Sequence, residues 1–401
     1  MGEEKTHILV ECPLLIASAN LGVLRPLKPM ETSGKCEVIF CETRKIKRQH
    51  LQWCDIFVCV RGCENVTLKI VQEMKRLGRL VIYYLDDDLM NLPKDSLSYS
   101  YYTSPNIKQN IFAILSLTDV LWGVNDKIRE RYLNLTNGKE WISNRLPIEV
   151  TNIKCKTNRR VCVLYAGSVD HKPIIKEILV PAVKTLATRY EKTVDFVFVG
   201  PDPELQNFNN VYHYPFFEDY KAYRDFVQTG FDIGLAPTRT GEFYQCKYYN
   251  KFVEYASIGA VGIYTDCFLY QQIVKHNQNG VLCKNTIEDW TNAIEQLILN
   301  FELREKCSKN AKLLLEQEFT SEKVAEALEA QCPVLISFRA PAVKLSEIYL
   351  VHALIGFYLD RMDILWKRYS ILAIPLIVYK AVIKIYKMVV KGIKRLVSRL
   401  F

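Results

Sequence analysis

Short apolar runs alternate with longer amphipathic stretches from Thr6 to Pro147. Periods of this kind predict strands separated by helices, with helices over Val66–Leu77 and Ile107–Leu117. Strands joined in this way form βαβ units, so we expect a parallel sheet that is buried on both faces. The predicted strands are His7–Glu11, Glu37–Cys41, Ile56–Val60, Leu80–Leu85 and Val120–Val124.

The same alternation restarts after Pro147 and predicts a second doubly wound sheet. Its strands are Val161–Ala166, Asp195–Val199, Val211–Tyr214, Ile233–Ala236, Val261–Thr265 and Gly280–Cys283. Its helices are Ile174–Tyr190, Tyr220–Gln228, Tyr249–Ile258, Ile287–Asn300 and Leu303–Glu318. Two such sheets in one chain predict an α/β protein with two Rossmann-like domains, at 1–148 and 149–335, that face a cleft. Ligands of these folds bind at the carboxyl ends of the strands, here within that cleft.

A basic tail follows the two domains, over residues 336–401. Lysines recur on one helical face at Lys380, Lys384, Lys387, Lys391 and Lys394, while most positions between them are apolar. This pattern is typical of an amphipathic helix that lies in an anionic membrane surface. The alternative is a helix that packs on the protein's own second domain. The apolar run 371–379 is only nine residues long and is too short to span a bilayer.

Charge and cysteine content narrow the class of protein. Among 401 residues the formal net charge is +9, and nine lysines and arginines lie beyond Asp363, where no acidic residue follows. The charge therefore belongs to the tail, and we expect no nucleic-acid partner. Acidic residues precede the first apolar run and the thirteen cysteines form no dense framework. These features indicate reduced thiols and a cytoplasmic protein on the inner face of a membrane.

The segment with the clearest chemistry runs from Asp232 to Asp266. Lys247, Lys251 and Glu254 are spaced to share one face at the start of the helix predicted over Tyr249–Ile258. A helix N-terminus with two lysines suits a diphosphate, and a carboxylate one turn later suits ribose hydroxyls. A solvated lysine–glutamate pair has the same spacing. From spacing alone, both interpretations stay open.

Several motifs together resemble bacterial GT-B glycosyltransferases of the family 4 (group 1) type. Lys247, Lys251, Glu254, Tyr255 and Gly259 resemble that family's donor-site helix. Three further motifs, in the family's order, are the Gly-Ser-x-x-His turn at 167–171, the Asp-Asp-Asp turn at 86–88 and the strand at 119–124. The resemblance covers about residues 7 to 330 and excludes the tail.

This resemblance implies transfer of a sugar from a nucleotide-sugar donor to a glycan or lipid-linked acceptor, with retention at the anomeric carbon. Glu254 would bind the donor ribose, while Lys247, Lys251 and the Gly167–Ser168 turn would hold the diphosphate, assisted by His171. The resemblance implies no cofactor and no metal. Two positions depart from the family pattern: Cys246 stands where many members have a glutamate, and Ser168 where an arginine is usual.

Polar residues after the first-domain strands are candidates for the acceptor side. Asp86, Asp87 and Asp88 follow the predicted strand Leu80–Leu85, and we expect Asp86 and Asp87 to lie near the acceptor, with Asp87 in a catalytic role. Helix capping explains three consecutive aspartates equally well. Arg25 and Arg61 follow strand-like segments and are predicted acceptor-side contacts.

Other enzyme classes lack their signatures here. The chain has no Gly-x-Gly-x-x-Gly, Walker or Gly-x-Ser-x-Gly motif, which argues against nicotinamide enzymes, P-loop NTPases and α/β-hydrolases. Two alternatives to a transferase stay open. They are a catalytically silent GT-B module that binds a glycan or partner at the membrane, and a nucleotide-sugar epimerase.

Overall fold

The computed structural model describes residues 5–150, 160–168, 171–345 and 360. The predicted tail helix and its lysines therefore lie outside the described residues. Two six-stranded parallel sheets with flanking helices form the two-domain GT-B fold, which confirms the predicted fold class.

The first sheet has the strand order β2-β1-β3-β4-β5-β6. Its order reverses between β1 and β3, which places a crevice at the carboxyl ends of these central strands. The predicted strands are confirmed to within a residue at each end, and one short strand, β6, was missed. The elements are β1 Thr6–Cys12, α1 Ala17–Ala19, α2 Arg25–Thr32, β2 Cys36–Glu42, α3 Arg48–Trp53, β3 Ile56–Val60, α4 Asn65–Arg76, β4 Leu80–Leu85, α5 Tyr99–Tyr102, α6 Pro105–Leu117, β5 Val120–Gly123, α7 Asp126–Tyr132 and β6 Glu140–Ser143.

The second sheet has the order β12-β11-β10-β7-β8-β9. Its order also reverses at the centre, between the neighbouring strands β7 and β10. Predicted strands are again confirmed, with α16 and the short helices missed. The elements are β7 Val161–Ala166, α8 Lys172–Ile174, α9 Val180–Arg189, β8 Val194–Val199, β9 Val211–Tyr214, α10 Tyr220–Val227, β10 Ile233–Ala236, α11 Glu242–Gln245, α12 Asn250–Ser257, β11 Val261–Thr265, α13 Phe268–Gln271, β12 Val281–Cys283, α14 Ile287–Leu299, α15 Phe301–Glu318, α16 Ser321–Gln331 and α17 Val334–Ser337.

The hydrophobic core joins the two domains. Alternate residues of β7 face opposite sides of the second sheet, so Leu164 packs in one buried cluster and Val163 in another. The cluster that holds Leu164 continues through Tyr248 and Phe252 into the first domain. After the second sheet the chain returns to the first domain, where α16 packs on α2 and α17 on β1. These contacts join the C-terminal helices of the described chain to the first domain.

A buried carboxyl lies near the end of β1. Glu11 is fully buried and accepts hydrogen bonds from the hydroxyls of Thr43 and Thr67, the latter at 3.2 Å. Burial raises the pKa of Glu11 from 4.5 to about 7, and the threonine bonds offset only part of that rise. The twelve described cysteines are free, and Cys54 and Cys59 lie in the core.

Candidate functional site

A cavity of about 190 Å³ lies between the domains at the carboxyl ends of both sheets. We call it the cleft cavity. The first domain contributes Arg61 after β3 and Asp87 after β4, and the second contributes Ser168, His171 and Lys247. Five of the predicted site residues therefore surround one space, although they are spread over 187 positions of sequence.

A network of ion pairs crosses this cavity. Lys247 Nζ lies 3.1 Å from Asp87 Oδ1, and the second carboxylate oxygen of Asp87 lies 3.3 Å from Arg61 Nη2. Arg61 also pairs with Asp86 at 3.4 Å and donates to the Ser18 hydroxyl at 3.3 Å. The network thus links the second domain to the carboxylates that follow β4.

Asp86 and Arg61 have perturbed acidities. Burial raises the pKa of the Asp86 carboxyl, and neighbouring Arg61 opposes that rise. Burial alone would lower the pKa of the Arg61 guanidinium, but Asp86 and Asp87 raise it above its ordinary value. Arg61 has φ +53°, in the left-handed region that non-glycine residues rarely adopt. Backbone strain at an ion-paired arginine within a cleft favours a functional role.

A second cavity of about 260 Å³ adjoins the first on the side of the first domain. We call it the side cavity. Ser18, Tyr84 and Asp86 line it, while Asp87 and Lys247 line both cavities. Each volume is smaller than the roughly 300–1,000 Å³ typical of a ligand cleft. A larger substrate would therefore need both cavities and would pass the Lys247–Asp87 contact.

Asp88 differs from the two aspartates before it. It is fully buried, accepts a hydrogen bond from the Tyr132 hydroxyl, and pairs with Arg131 at 2.8 Å. Asn91 also donates to it at 2.9 Å. These contacts hold the turn after β4 against α7, so Asp88 stabilises this turn while Asp86 and Asp87 face the cavities. No described helix begins at the three aspartates, so helix capping does not account for them.

Lys251 and Glu254 lie on α12, as their spacing predicted, but line neither cavity. Lys251 Nζ lies 2.7 Å from Glu254 Oε2, and the Tyr223 hydroxyl donates to Glu254 Oε1. A carboxylate has about four acceptor sites, so Glu254 retains capacity for further donors. Lys247 precedes the helix, which begins at Asn250, and so lies on the loop nearer the cleft.

The turn after β7 shapes the wall of the cleft cavity. A side chain at Gly167 would overlap the Tyr165 ring, with the added carbon 2.1 Å from the Tyr165 hydroxyl oxygen. The chain therefore needs glycine there to bring Ser168 into the cavity wall. The His171 amide donates to the Ser168 carbonyl at 3.1 Å, which fixes the start of α8 beside the cavity.

Arg25 does not occupy its predicted position. It was expected after a strand on the acceptor side, but the chain is helical from Ala17 to Thr32, with a wide π-type turn at Asn20–Leu24. Arg25 begins α2 and lines neither cavity. Pro29 inside α2 made this helix hard to predict, because proline removes a backbone donor.

Some residues at the domain boundary were not predicted. Asn125 of the first domain donates to the carbonyl oxygens of Gln245 and Lys247, at 3.0 and 2.7 Å. These two hydrogen bonds hold the loop that carries Lys247 in place. Arg239 pairs with Asp95 across the cleft at 2.6 Å. The only sequence signal for Asn125 is its place directly after an apolar strand, where polar residues gather in this fold.

Comparisons with known proteins agree with this geometry. The family model for glycosyl transferases group 1 matches residues 251–314, which include Lys251 and Glu254. The chain resembles the group 1 glycosyl transferases. No curated protein has a sequence that matches this chain.

Solved structures share the GT-B fold with this group 1-like chain. HepE from Anabaena, in complex with UDP-glucose, has a TM-score of 0.59 at 12% identity, covering 83% of this chain and 100% of HepE. Sucrose-phosphate synthase from Thermosynechococcus elongatus has a TM-score of 0.60 at 11% identity, covering 83% and 99%. A glycosyltransferase from Rickettsia africae has a TM-score of 0.55 at 13% identity, covering 82% and 99%. At such identities the likeness establishes the fold.

Cys246 stands at the position where the family 4 pattern has a glutamate in many members. It is fully buried, and burial together with nearby Asp88 raises the pKa of its thiol to about 12. Cys246 therefore packs below the cavity wall, which is formed there by Phe243, Tyr244 and Lys247. Any ligand contact at this point of the cleft must come from these other side chains.

The described ranges contain neither a candidate metal site nor a membrane-spanning helix. Across 5–150, 160–168 and 171–345, no group of three or more histidine, cysteine or acidic side chains could hold a metal ion. In the same part of the chain, no helix is both long and apolar enough to cross a membrane.

Proposed function

We propose that the protein is a glycosyltransferase of the family 4 type, which moves a sugar from a nucleotide-sugar donor to a glycan or lipid-linked acceptor with retention. The observation that carries this proposal is the position of Lys247. It lines the cleft cavity with Ser168 and His171, and it contacts Asp87 at 3.1 Å between the two cavities. One cation therefore lies where donor and acceptor would meet.

On the donor side, Lys247 and the Ser168 hydroxyl would hold the diphosphate. The leaving diphosphate gains negative charge as the glycosidic bond breaks, and a fixed ammonium stabilises that charge most in the transition state. His171 supplies a further donor from the same wall of the cavity. The Lys247–Asp87 ion pair would open when the donor enters, which frees the Asp87 carboxylate for an acceptor hydroxyl.

Glu254 would bind the donor ribose. Its oxygens already accept bonds from Lys251 and Tyr223, and each has one lone pair left for a ribose hydroxyl. Lys251 would hold this carboxylate in place through their ion pair at 2.7 Å. HepE, which shares the fold, is in complex with UDP-glucose, and this supports a nucleotide-sugar donor for this protein.

On the acceptor side, Asp86 and Asp87 would contact hydroxyl groups. Asp86 lines the side cavity, where its carboxylate oxygens can accept hydrogen bonds from hydroxyl groups of the acceptor. We place the protein at the cytoplasmic face of a membrane, bound through its basic tail, in surface polysaccharide or glycolipid synthesis. The nine lysines and arginines beyond Asp363, where no acidic residue follows, support this part of the proposal.

Nucleotide binding tests the proposal directly. A panel of nucleoside diphosphates should raise the thermal unfolding midpoint of the full-length protein for at least one base. Lys247→Ala should weaken that ligand about tenfold or more, because it removes a charge-assisted contact. Lys221→Ala is the matched control, since Lys221 pairs with Asp225 on exposed α10, away from both cavities. If no nucleotide stabilises the protein, or both variants bind it equally, the proposal fails.

A catalytically silent binding module is the second candidate, favoured by Cys246. The expected glutamate is replaced by a thiol that is buried and cannot reach the donor sugar. Such a module would bind a nucleotide without turnover. Release of free nucleoside diphosphate that requires an acceptor distinguishes the enzyme from the module.

A further inference from the structure

Three consecutive apolar side chains project from the first domain. Leu14 and Leu15 are 63% and 57% exposed, and Ile16 is 37% exposed. Single exposed apolar residues are common on soluble proteins, but a contiguous group marks a contact surface. These residues follow Cys12, the last residue of β1, and so lie at the carboxyl edge of the first sheet.

Leu14, Leu15 and Ile16, which we call the apolar turn, border the side cavity. Ala17 and Ser18, which come directly after it, line that cavity, and Leu21 lines it one helical turn later. The Ser18 hydroxyl also contacts Arg61 of the ion-pair network at 3.3 Å. Whatever covers the apolar turn therefore lies at the mouth of the acceptor side.

Exposed basic residues follow β2, the strand next to β1. Cys12 pairs in register with Glu42, the last residue of the neighbouring strand β2, so the segments after both residues leave the sheet side by side. The segment after Glu42 carries Lys47 and Arg48, both exposed. A nearby acidic side chain, Glu42, is paired with Lys45 at 2.8 Å, so the surface keeps a positive balance.

The chain also leaves its described part at this edge. The Asp360 carboxylate accepts hydrogen bonds from the backbone amides of Asn65 and Val66, at 2.7 and 3.1 Å. These amides begin α4, just after β3, and the sheet order β2-β1-β3 makes the three edges neighbours. The sequence beyond Asp363 holds nine basic residues and no acidic one. Asp360 is thus held at the same edge of the first sheet as the apolar turn and the basic segment.

We propose that the apolar rim, defined as Leu14, Leu15, Ile16, Lys47 and Arg48, inserts into the surface of an anionic lipid bilayer. Leucine side chains enter the boundary between headgroups and acyl chains, while lysine and arginine pair with lipid phosphates. The tail supplies membrane attraction, and the rim sets the orientation. The side cavity then opens toward the headgroups, from which a lipid-linked acceptor enters; this last step rests on the proposed function.

A bilayer suits this surface better than a protein partner. Stable protein interfaces bury about 800 Å² on each side around a well-packed apolar centre. Three apolar residues flanked by cations offer much less, yet two leucines and adjacent basic side chains suffice for reversible attachment at an interface. The positive charge on the rim also matches anionic lipid.

Insertion is tested with the full chain and its tail intact. In Leu15→Trp, vesicles that contain phosphatidylglycerol and bromine-labelled acyl chains should quench the emission added by the new tryptophan. The matched control is Leu299→Trp, at a residue 68% exposed on the second domain, whose added emission should persist. Absence of quenching in Leu15→Trp, or equal quenching in both variants, would overturn the proposal, and a protein partner or second copy would then cover the rim.

Affinity gives an independent measurement on the same vesicles. Leu14→Asn with Leu15→Asn should weaken binding about tenfold or more, since two apolar side chains no longer leave water. Lys47→Gln and Arg48→Gln should each weaken it about fivefold, and only when the vesicles are anionic. Unchanged affinity in all of these variants would refute the inserted rim. Nucleoside diphosphate binding by the same proteins is read separately, so failure of the proposed function would leave the vesicle results interpretable.

Discussion

Glu254 offers the sharpest prediction about a single side chain. If its carboxylate binds the donor ribose, Glu254→Ala removes a charge-assisted hydrogen-bonding partner worth about 1.5–3 kcal/mol. The affinity for the preferred nucleoside diphosphate should then fall about tenfold to a hundredfold. Isothermal titration of the full-length protein measures this change directly.

The contacts of Glu254 show that its removal also affects stability. Its side chain is only 16% exposed, and its loss leaves the Tyr223 hydroxyl and the Lys251 ammonium without this partner. A buried hydroxyl without a partner costs about 1–3 kcal/mol, so Glu254→Ala should also lower the stability of the fold. Titrations must therefore be made well below the unfolding midpoint of the variant.

Two companion variants separate ribose binding from stability. Glu254→Gln still accepts the Tyr223 bond and should remain close to the parent in stability, while nucleotide binding weakens about fivefold because the charge is lost. Glu326→Ala breaks a lysine–glutamate pair of the same spacing on α16, where Lys323 lies 2.8 Å away, and should leave nucleotide binding unchanged. If Glu254→Ala binds the nucleotide as tightly as the parent, Glu254 only stabilises the fold and its functional assignment is refuted.

Three further predictions concern pH, metal and the tail. Glu11 has a pKa of about 7 in the folded protein against 4.5 in the unfolded chain, so the folded state should lose about 3 kcal/mol of stability as pH rises from 4.5 to 7. Glu11→Gln should not show this loss. Urea unfolding that changes with pH equally in the two proteins would contradict the prediction. Turnover should survive a chelator, because Lys247 supplies the charge for the diphosphate; complete loss that magnesium or manganese reverses would assign Asp86 and Asp87 a metal role. Deleting Asp363–Phe401 should move most of the protein from the membrane to the soluble fraction; unchanged sedimentation would refute the tail's role.

The periodicity of the sequence predicted most of the fold, because strands buried on both faces are continuous apolar runs. Ile56–Val60 and Ile233–Ala236 begin and end as predicted. The missed strand β6 has only four residues and is partly exposed at the sheet edge, so it shows no clear period. Sequence alone also hid α16, which packs on the first domain although it follows the second.

Site residues could be predicted from the sequence where they directly follow a strand or belong to a motif. They could not be predicted where contacts between distant segments position them. Lys247, Ser168 and Asp87 follow apolar strands or a motif turn, and the structure brings them together. Tyr223 lies 31 positions from Glu254 on another helix, so no local spacing reveals their hydrogen bond. The predicted position of Arg25 was wrong, because Arg25 does not follow a strand directly but begins α2, a helix that contains Pro29.

Acceptor-dependent release of nucleoside diphosphate tests the central claim most directly. The full-length protein is incubated with each nucleotide sugar of a panel, with and without a lipid extract and a set of soluble glycans as acceptors, and the freed diphosphate is quantified. We predict release that needs both donor and acceptor and falls at least tenfold in Lys247→Ala, with Lys221→Ala unchanged. Release that no acceptor increases, or that Lys247→Ala matches, would contradict a glycosyltransferase working in this cleft.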